Sequence, residues 1–200
     1  MSDPERQPVG VILAGGHGRR LGGDKALVSL AGQPLILRPL AAMRAVLTDV
    51  AVVAKPDTAL PDLTGIPVWS EPAQPSHPLV GIVHALRLAG GRAVLVCAAD
   101  LPFVTPATLR KLASADADGA PAVVAAVDGV AQPLLGRYDP GCAALLQTAA
   151  LEGRVAMRAV VAALGARALE LDGDELLNVN TPEDLRRAEA RLRDQPKVKL

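Results

Sequence analysis

The chain of 200 residues carries 21 basic and 21 acidic side chains, so its formal net charge is zero, and half of its residues are hydrophobic. This length and composition suffice for one buried core, and we expect a single domain over residues 1–193 followed by a flexible tail at 194–200. Proteins that bind nucleic acids or anionic membranes usually present a basic surface, so the balanced charge argues against both partners. The single Phe, Tyr and Trp also argue against a platform for stacking nucleic-acid bases.

Cysteine usage and hydropathy bear on the cellular compartment. Cys97 and Cys142 show no metal-binding spacing, and Cys97 lies inside an apolar run that predicts a buried structural thiol. The N-terminal segment lacks the apolar stretch of a signal peptide, and no stretch approaches the roughly 18 consecutive apolar residues of a membrane span. We therefore expect a cytoplasmic protein.

The hydrophobic pattern predicts strands that alternate with helices. In chain order, it predicts strands at residues 9–14, 50–54, 68–69, 93–98, 122–127, 130–135 and 168–171. It predicts helices at residues 34–47, 79–88, 105–115, 142–151, 155–164 and from 182 to about 193. Pro34 suits the first turn of the first helix, while Thr105 and Thr181 each precede a proline and are predicted N-caps. This alternation predicts a three-layer, Rossmann-like α/β fold with a mainly parallel central sheet, whose ligands bind beyond the carboxyl ends of the strands.

A glycine-rich segment follows the first predicted strand. It has the sequence VGVILAGGHGRRLGGDKAL and spans residues 9–27. Its glycines let the backbone approach a ligand, and residues 17–25 carry a local charge of +2 from Arg19, Arg20, Asp24 and Lys25. The segment is neither a Walker P-loop nor a GxGxxG dinucleotide fingerprint. It therefore predicts a phosphate-binding loop of another kind.

Two later segments also carry polar side chains after apolar runs. Asp100 directly follows a predicted buried strand, where it could either bind a Mg²⁺–nucleotide complex or stabilise its own loop. Asn178 and Asn180 are two residues apart, so in an extended loop their amides would face the same side. They could hold a polar substrate or serve only in the turn and cap before the last helix.

These segments together resemble the molybdenum cofactor guanylyltransferase (MobA) family of the nucleotidyltransferase superfamily. LAGGHGRRLGGDK is similar to the family's LAGGxxxRMGxxK, with Leu21 in place of Met. Asp100, Pro102 and Phe103 match its CDxPF element, although Ala99 replaces the cysteine. NVNTPEDL is also similar to a family motif, and the second glycine of LAGG favours guanylyl over cytidylyl transfer.

The resemblance implies roles for individual residues. The implied nucleotide-binding residues are Leu13, Ala14, Gly15, Gly16, Gly22, Lys25, Glu71, Gly81 and Asp100. Arg20 and Lys25 would neutralise phosphate charge, and Asp100 would hold Mg²⁺. Asn178 and Asn180 would bind the second substrate.

Glu71 and its surroundings are less clearly assigned. Glu71 falls near an acidic family position that contacts guanine, but it could equally be an exposed loop acid. His77 and Val80 replace a glycine and an alanine in the same loop. No role is assigned to residues 53–55.

The implied reaction transfers GMP from GTP to the terminal phosphate of molybdopterin or molybdenum cofactor and releases pyrophosphate. Cofactor-insertion proteins and apo-molybdoenzymes are the implied protein partners. A molybdopterin cytidylyltransferase, or another small-substrate nucleotidyltransferase, is the alternative within the superfamily. A noncatalytic nucleotide-binding partner in molybdoenzyme maturation is the alternative outside it.

Overall fold

The computed structural model describes residues 7–15, 25–153 and 156–194. The strands are β1 (Val9–Leu13), β2 (Ser29–Leu30), β3 (Gln33–Pro34), β4 (Val50–Ala54), β5 (Val68–Ser70), β6 (Val94–Ala98), β7 (Ala122–Val127), β8 (Val130–Tyr138) and β9 (Arg167–Glu170). The α-helices are α1 (Leu37–Arg44), α2 (Pro78–Leu88), α3 (Pro106–Ser114), α4 (Ala143–Leu151), α5 (Met157–Ala163) and α6 (Pro182–Asp194). Short 3-10 helices lie at Lys25–Leu27, Pro140–Cys142 and Gly173–Leu176.

Seven strands form one sheet in the order β5-β4-β1-β6-β8-β7-β9, and β2 and β3 form a separate hairpin. β8 runs antiparallel to its neighbours β6 and β7, whereas the other pairings in the sheet are parallel. The predicted mainly parallel sheet is therefore confirmed. The chain proceeds from β1 to β4 and β5 on one side and then returns to β6 on the other. Ligands of open α/β sheets bind at such a reversal, beyond the carboxyl ends of the strands.

Helices cover both faces of this sheet and so produce three layers. On one face, Met43 of α1 and Leu109 of α3 pack in a cluster with Ile12 of β1. On the other face, Ile82 of α2 packs in a cluster with Val11 of β1. Because successive strand residues point to opposite faces, a strand covered on both sides needs an unbroken apolar run, as β1 has.

The predicted caps begin two of the helices. Before α3, the backbone N–H of Thr108 donates to the Thr105 hydroxyl at 3.2 Å, and Pro106 takes the first helical position. Before α6, the backbone N–H of Asp184 donates to the Thr181 hydroxyl at 3.1 Å. Both N-cap predictions are confirmed.

The start of the first helix was predicted wrongly. Pro34 lies in β3 rather than in a helical turn. Ala31 and Gly32 both have positive φ, and this tight turn folds β3 back onto β2. The backbone N–H of Leu35 then donates to the carbonyl of Val28 at 2.8 Å, so α1 begins only at Leu37.

The first helix also ends at Arg44 rather than at residue 47, and most other boundaries differ from the prediction by one to three residues. The strand predicted at 130–135 extends to Tyr138, because β8 pairs with β6 on one side and β7 on the other. Asp194, predicted to begin a flexible tail, is the last residue of α6, and the rest of that tail lies outside the described residues. Within the described ranges, no helix has the length and apolar character needed to cross a bilayer.

Gly136 lets β8 approach β7 where their register is irregular. The pairing shifts between Val124 and Ala125. A Cβ at position 136 would lie 2.7 Å from the carbonyl oxygen of Val123 and 2.9 Å from the Cα of Val124. These neighbours are backbone atoms within a sheet, so they cannot move aside as a flexible side chain could.

We therefore expect Gly136→Ala to lower the free energy of unfolding by about 1–3 kcal/mol, as overpacking of a core does. Denaturant unfolding measures this change. Gly141→Ala is the matched control, because a Cβ there meets no atom within 4 Å. Equal stability of the two variants would contradict the steric argument.

Candidate nucleotide-binding site

The carboxyl ends of β1, β4, β5 and β6 surround a cavity of about 220 Å³. Its lining includes these residues of the predicted nucleotide site: Leu13, Ala14, Gly15, Lys25, Glu71, Gly81 and Asp100. The remaining predicted residues of the first loop, Gly16, Arg20 and Gly22, lie outside the described residues. Side chains from distant parts of the sequence thus meet at the reversal between β1 and β6.

Lys25 joins the three polar segments singled out in the sequence. Its Nζ donates to Oδ2 of Asp100 and to Oδ1 of Asn180. The backbone N–H of Val179 donates to the carbonyl oxygen of Asp100 at 3.0 Å, which ties the asparagine segment to the loop after β6. One ammonium group, one carboxylate and one amide therefore form a single polar cluster at the edge of the cavity.

Asp100 has one oxygen free within this cluster. The residue is 8% exposed, and Oδ2 accepts from Lys25. Oδ1 is buried and has no hydrogen-bond partner among the described residues. Among all the described residues, no group of three or more His, Cys, Asp or Glu side chains is arranged so that it could hold a metal ion. A free carboxylate oxygen of this kind is a ligand that Mg²⁺ commonly takes from a protein, with phosphate and water oxygens completing its shell.

The asparagine segment combines capping with a place in the site. Asp184 accepts from the backbone N–H groups of Asn180 and Thr181, at 3.1 and 2.9 Å, and thereby organises the start of α6. Val179 is fully buried in a small cluster with Leu30, Leu35, Phe103 and Ala188. Thr181 and Asp184 thus form the turn and cap before the last helix. The side chain of Asn180, in contrast, accepts a hydrogen bond from Nζ of Lys25.

Asn178 lies on a second cavity of about 430 Å³. This cavity is lined from β8 by residues such as Gln132, and from the start of α5 by Met157 and Arg158. The two cavities share Ala98 and Leu134 in their linings, so they are neighbours across the end of β6. The first cavity contains Lys25 and Asp100 of the polar cluster, and the second lies next to it at Ala98 and Leu134.

Glu71 is buried and lines the first cavity, so the alternative of an exposed loop acid is wrong. It is 6% exposed, and its backbone N–H continues the pairing with β4 by donating to Ala54 at 2.9 Å. A Cβ on Gly15 would lie 2.3 Å from Oε1, and one on Gly81 would lie 2.9 Å from Oε2. Both glycines therefore make room for this carboxylate. Burial raises its pKa, against the opposing effect of the nearby Lys55 ammonium.

Lys55 and His77 are site residues that the sequence did not assign. Lys55 is 5% exposed, and its Nζ lies 3.7 Å from Oε1 of Glu71. His77 lines the cavity and caps α2, since its Nδ1 accepts from the backbone N–H of Leu79 at 3.2 Å. A helix cap thus occupies the position where the family has glycine. In the sequence, the signal for Lys55 is its position directly after the apolar run of β4. In the sheet, β4 is the parallel neighbour of β5, the strand that precedes Glu71.

Comparison with known proteins agrees with this geometry. The MobA-like NTP transferase domain family matches residues 10–168. A Rhodobacter capsulatus protein named molybdenum cofactor guanylyltransferase is 40% identical, over 92% of this chain and 96% of its own.

Solved structures give the same result for the fold. The Archaeoglobus fulgidus molybdopterin-guanine dinucleotide biosynthesis protein A superposes with a TM-score of 0.77 at 26% identity, covering 93% of this chain and 99% of that one. A Mycobacterium tuberculosis protein solved in complex with manganese superposes with a TM-score of 0.67 at 20% identity, covering 92% and 98%. The chain therefore belongs to the family of MobA-like NTP transferase domains.

Proposed function

We propose that this chain transfers GMP from GTP to the terminal phosphate of molybdopterin or molybdenum cofactor and releases pyrophosphate. The observation that carries the proposal is the polar cluster of Lys25, Asp100 and Asn180 at the cavity beyond the carboxyl ends of the strands. Family membership supports the same reaction. A cytidylyltransferase, or a protein that only binds nucleotide, is less favoured, because the guanylyltransferase relative matches nearly the whole chain.

In this proposal the first cavity holds GTP. Leu13, Ala14 and Gly15 line it at the end of β1, where the backbone can face the nucleotide. Glu71 meets the guanine base, and Lys25 together with Arg20 neutralises the phosphates. A unit cation about 4 Å from a phosphate charge contributes roughly 4 kcal/mol at an effective dielectric near 20, before desolvation. A contribution of this size can dominate the rate.

The residues present also fit a divalent cation, which we propose to be Mg²⁺. Oδ1 of Asp100 is a buried acceptor without a partner among the described residues, and carboxylate oxygen is a preferred ligand of such an ion. When bound, the ion would supply positive charge to the phosphates. Lys25 would keep the other oxygen of Asp100 in place and so orient the carboxylate.

Group transfer then needs no protein nucleophile. A terminal phosphate oxygen of the acceptor forms a bond to the α-phosphorus of GTP. The bond from that phosphorus to the oxygen bridging to the β-phosphate breaks, and the electron pair leaves on pyrophosphate. The protein's contribution is to position both phosphates and to stabilise the developing charge through Lys25.

The second cavity is the proposed site of the acceptor. Asn178 lines it and offers an amide donor and an acceptor, which suit a polar pterin-type ring. Asn180 contacts Lys25 and would connect the acceptor side to the phosphate side. We further propose that residues 1–193 act as one domain in the cytoplasm and that the product passes to cofactor-insertion proteins or apo-molybdoenzymes.

Pyrophosphate release with authentic molybdopterin acceptor, measured with each of the four nucleoside triphosphates and Mg²⁺, tests the proposed function. We expect release with GTP and little with CTP. A preference for CTP would overturn guanylyl transfer in favour of cytidylyl transfer. Tight binding of Mg·GTP without any pyrophosphate release would favour a noncatalytic binding protein.

Lys25→Ala and Asp100→Ala test the polar cluster. Each removes a charge proposed to act on the phosphates, so we expect turnover to fall by about 10²–10³-fold, as when one preorganised electrostatic group is removed. Circular dichroism should show that both variants stay folded. Lys111→Ala on the exposed face of α3 is the matched control and should keep wild-type turnover. Wild-type turnover in a folded cluster variant would contradict the assigned roles.

Asn178→Ala tests the acceptor site separately. Losing a hydrogen bond that contributes about 0.5–1.5 kcal/mol should raise the KM for the acceptor several-fold. The KM for GTP should stay unchanged, because Asn178 lines only the second cavity of the two. Steady-state kinetics with each substrate varied in turn makes the measurement. An increase confined to the KM for GTP would place the acceptor elsewhere.

A further inference from the structure

The carboxylate of Glu71 is held from one side only. Nζ of Lys55 lies 3.7 Å from Oε1, and the two side chains are 4% and 6% exposed. Oε2 is buried and has no hydrogen-bond partner among the described residues. Gly15 and Gly81 leave the carboxylate room on two further sides, because a Cβ on either would collide with it. One oxygen thus lies beside an ammonium group, while the other, on a side chain that lines the cavity, has no donor among the described residues.

The position of Lys55 is itself restrained by the chain. Its Nζ donates to the carbonyl oxygens of Pro72 at 3.1 Å and Ala73 at 3.0 Å, directly after Glu71. The ammonium therefore has two fixed acceptors, which hold its charge beside the Glu71 carboxylate. Lys55 follows β4 and Glu71 follows β5, and these strands are parallel neighbours, so the sheet sets the distance between the two groups.

We propose that Lys55 is a positioning residue for base recognition, which anchors one oxygen of the Glu71 carboxylate and leaves the other to accept from guanine. The proposal rests on the proposed use of GTP and extends it to a residue with no assigned role. Lys55 does not contact the base in this scheme. It acts through Glu71.

The charge of Glu71 decides which base it fits. An ionised carboxylate only accepts hydrogen bonds, so it complements guanine, which presents the ring N1–H and the exocyclic amine as adjacent donors. A protonated carboxyl offers one donor and one acceptor, which instead match the ring nitrogen and the amine of cytosine or adenine. Burial raises the pKa of Glu71 and so favours the protonated form, while the Lys55 ammonium opposes that effect. Among the described residues, the other titratable groups that line the cavity are Lys25, His77 and Asp100.

Nucleotide binding by Lys55→Met measures this role without the acceptor substrate. Calorimetric titration with GTP, ITP and CTP in the presence of Mg²⁺, over roughly pH 6–9, gives the base preference as a ratio of Kd values. We expect the preference for GTP over CTP to fall at least about tenfold at neutral pH, as when a charge-assisted contact is lost. It should recover as pH rises, since Glu71 ionises at higher pH once the lysine is gone. ITP lacks the exocyclic amine and should lose less affinity than GTP.

Controls separate positioning from a general structural effect. Lys55→Arg keeps the charge and should restore most of the preference, and Lys111→Met is a matched control on the exposed face of α3. If Lys55→Met does not fold, Lys55→Gln takes its place, because its amide can still donate to the loop carbonyls. In turnover assays the KM for GTP should rise while kcat at saturating GTP changes much less.

A double-mutant cycle with Glu71→Gln gives the decisive comparison. If Lys55 acts through Glu71, adding Lys55→Met to Glu71→Gln should cause no further loss of base preference. Equal losses in both backgrounds, or a wild-type preference and pH profile in Lys55→Met, would overturn the positioning role alone. A wild-type protein that prefers CTP would overturn the proposed function and this inference together.

Discussion

Both carboxylates in the first cavity are buried with one oxygen against a lysine and the other without a partner among the described residues. Asp100 faces Lys25, and Glu71 faces Lys55. A buried acceptor without a partner costs about 1–3 kcal/mol, and a buried ion pair is rarely more stabilising than well-packed apolar side chains. A ligand that supplies a donor or a cation to the free oxygens would reduce these costs, so the arrangement indicates binding rather than stability.

The sheet makes this arrangement achievable, because it brings together residues that are far apart in the chain. Lys25 lies 75 positions from Asp100 and 155 from Asn180. Parallel strands that end at one edge place their following loops side by side, and the reversal between β1 and β6 leaves a crevice there. The guanidinium of Arg191 in α6 lies 4.4 Å from the ring centre of Phe103. This contact packs the last helix against the loop that follows Asp100. Strands and helices therefore hold the loops that carry Asp100, Glu71 and Asn180.

The sequence predicted this framework well because apolar runs and caps are local signals. The strand before Asp100, the caps at Thr105 and Thr181, and the mainly parallel sheet are all confirmed. Pro34 was misplaced because proline suits a helix start and a hairpin strand alike, and the turn at Ala31 decides between them.

The burial of Glu71 and of Lys55, which the sequence did not predict, depends on contacts between distant residues. The burial of Glu71 follows from the space left by Gly15 and Gly81, which no local pattern reveals. Lys55 follows an apolar strand and would ordinarily be taken for a solvated end of that strand. Its burial becomes apparent only when β5 is placed beside β4 and the carbonyls of the following loop are brought within reach. Position in the sheet, rather than residue type, gives both side chains their roles.

The balanced charge of the whole chain recurs within the described part of the first cavity. Lys25 and Lys55 are matched there by Asp100 and Glu71, so the formal charges of these four side chains sum to zero. In the proposed function, the phosphates therefore draw further countercharge from a bound divalent cation and from Arg20 of the first loop, in addition to Lys25. A divalent cation bound to the triphosphate lowers its negative charge, so Asp100 and Glu71 would repel the proposed metal–nucleotide complex less than the free nucleotide. In the proposed function, the pairing of each lysine with a carboxylate therefore favours the metal-bound form of the nucleotide.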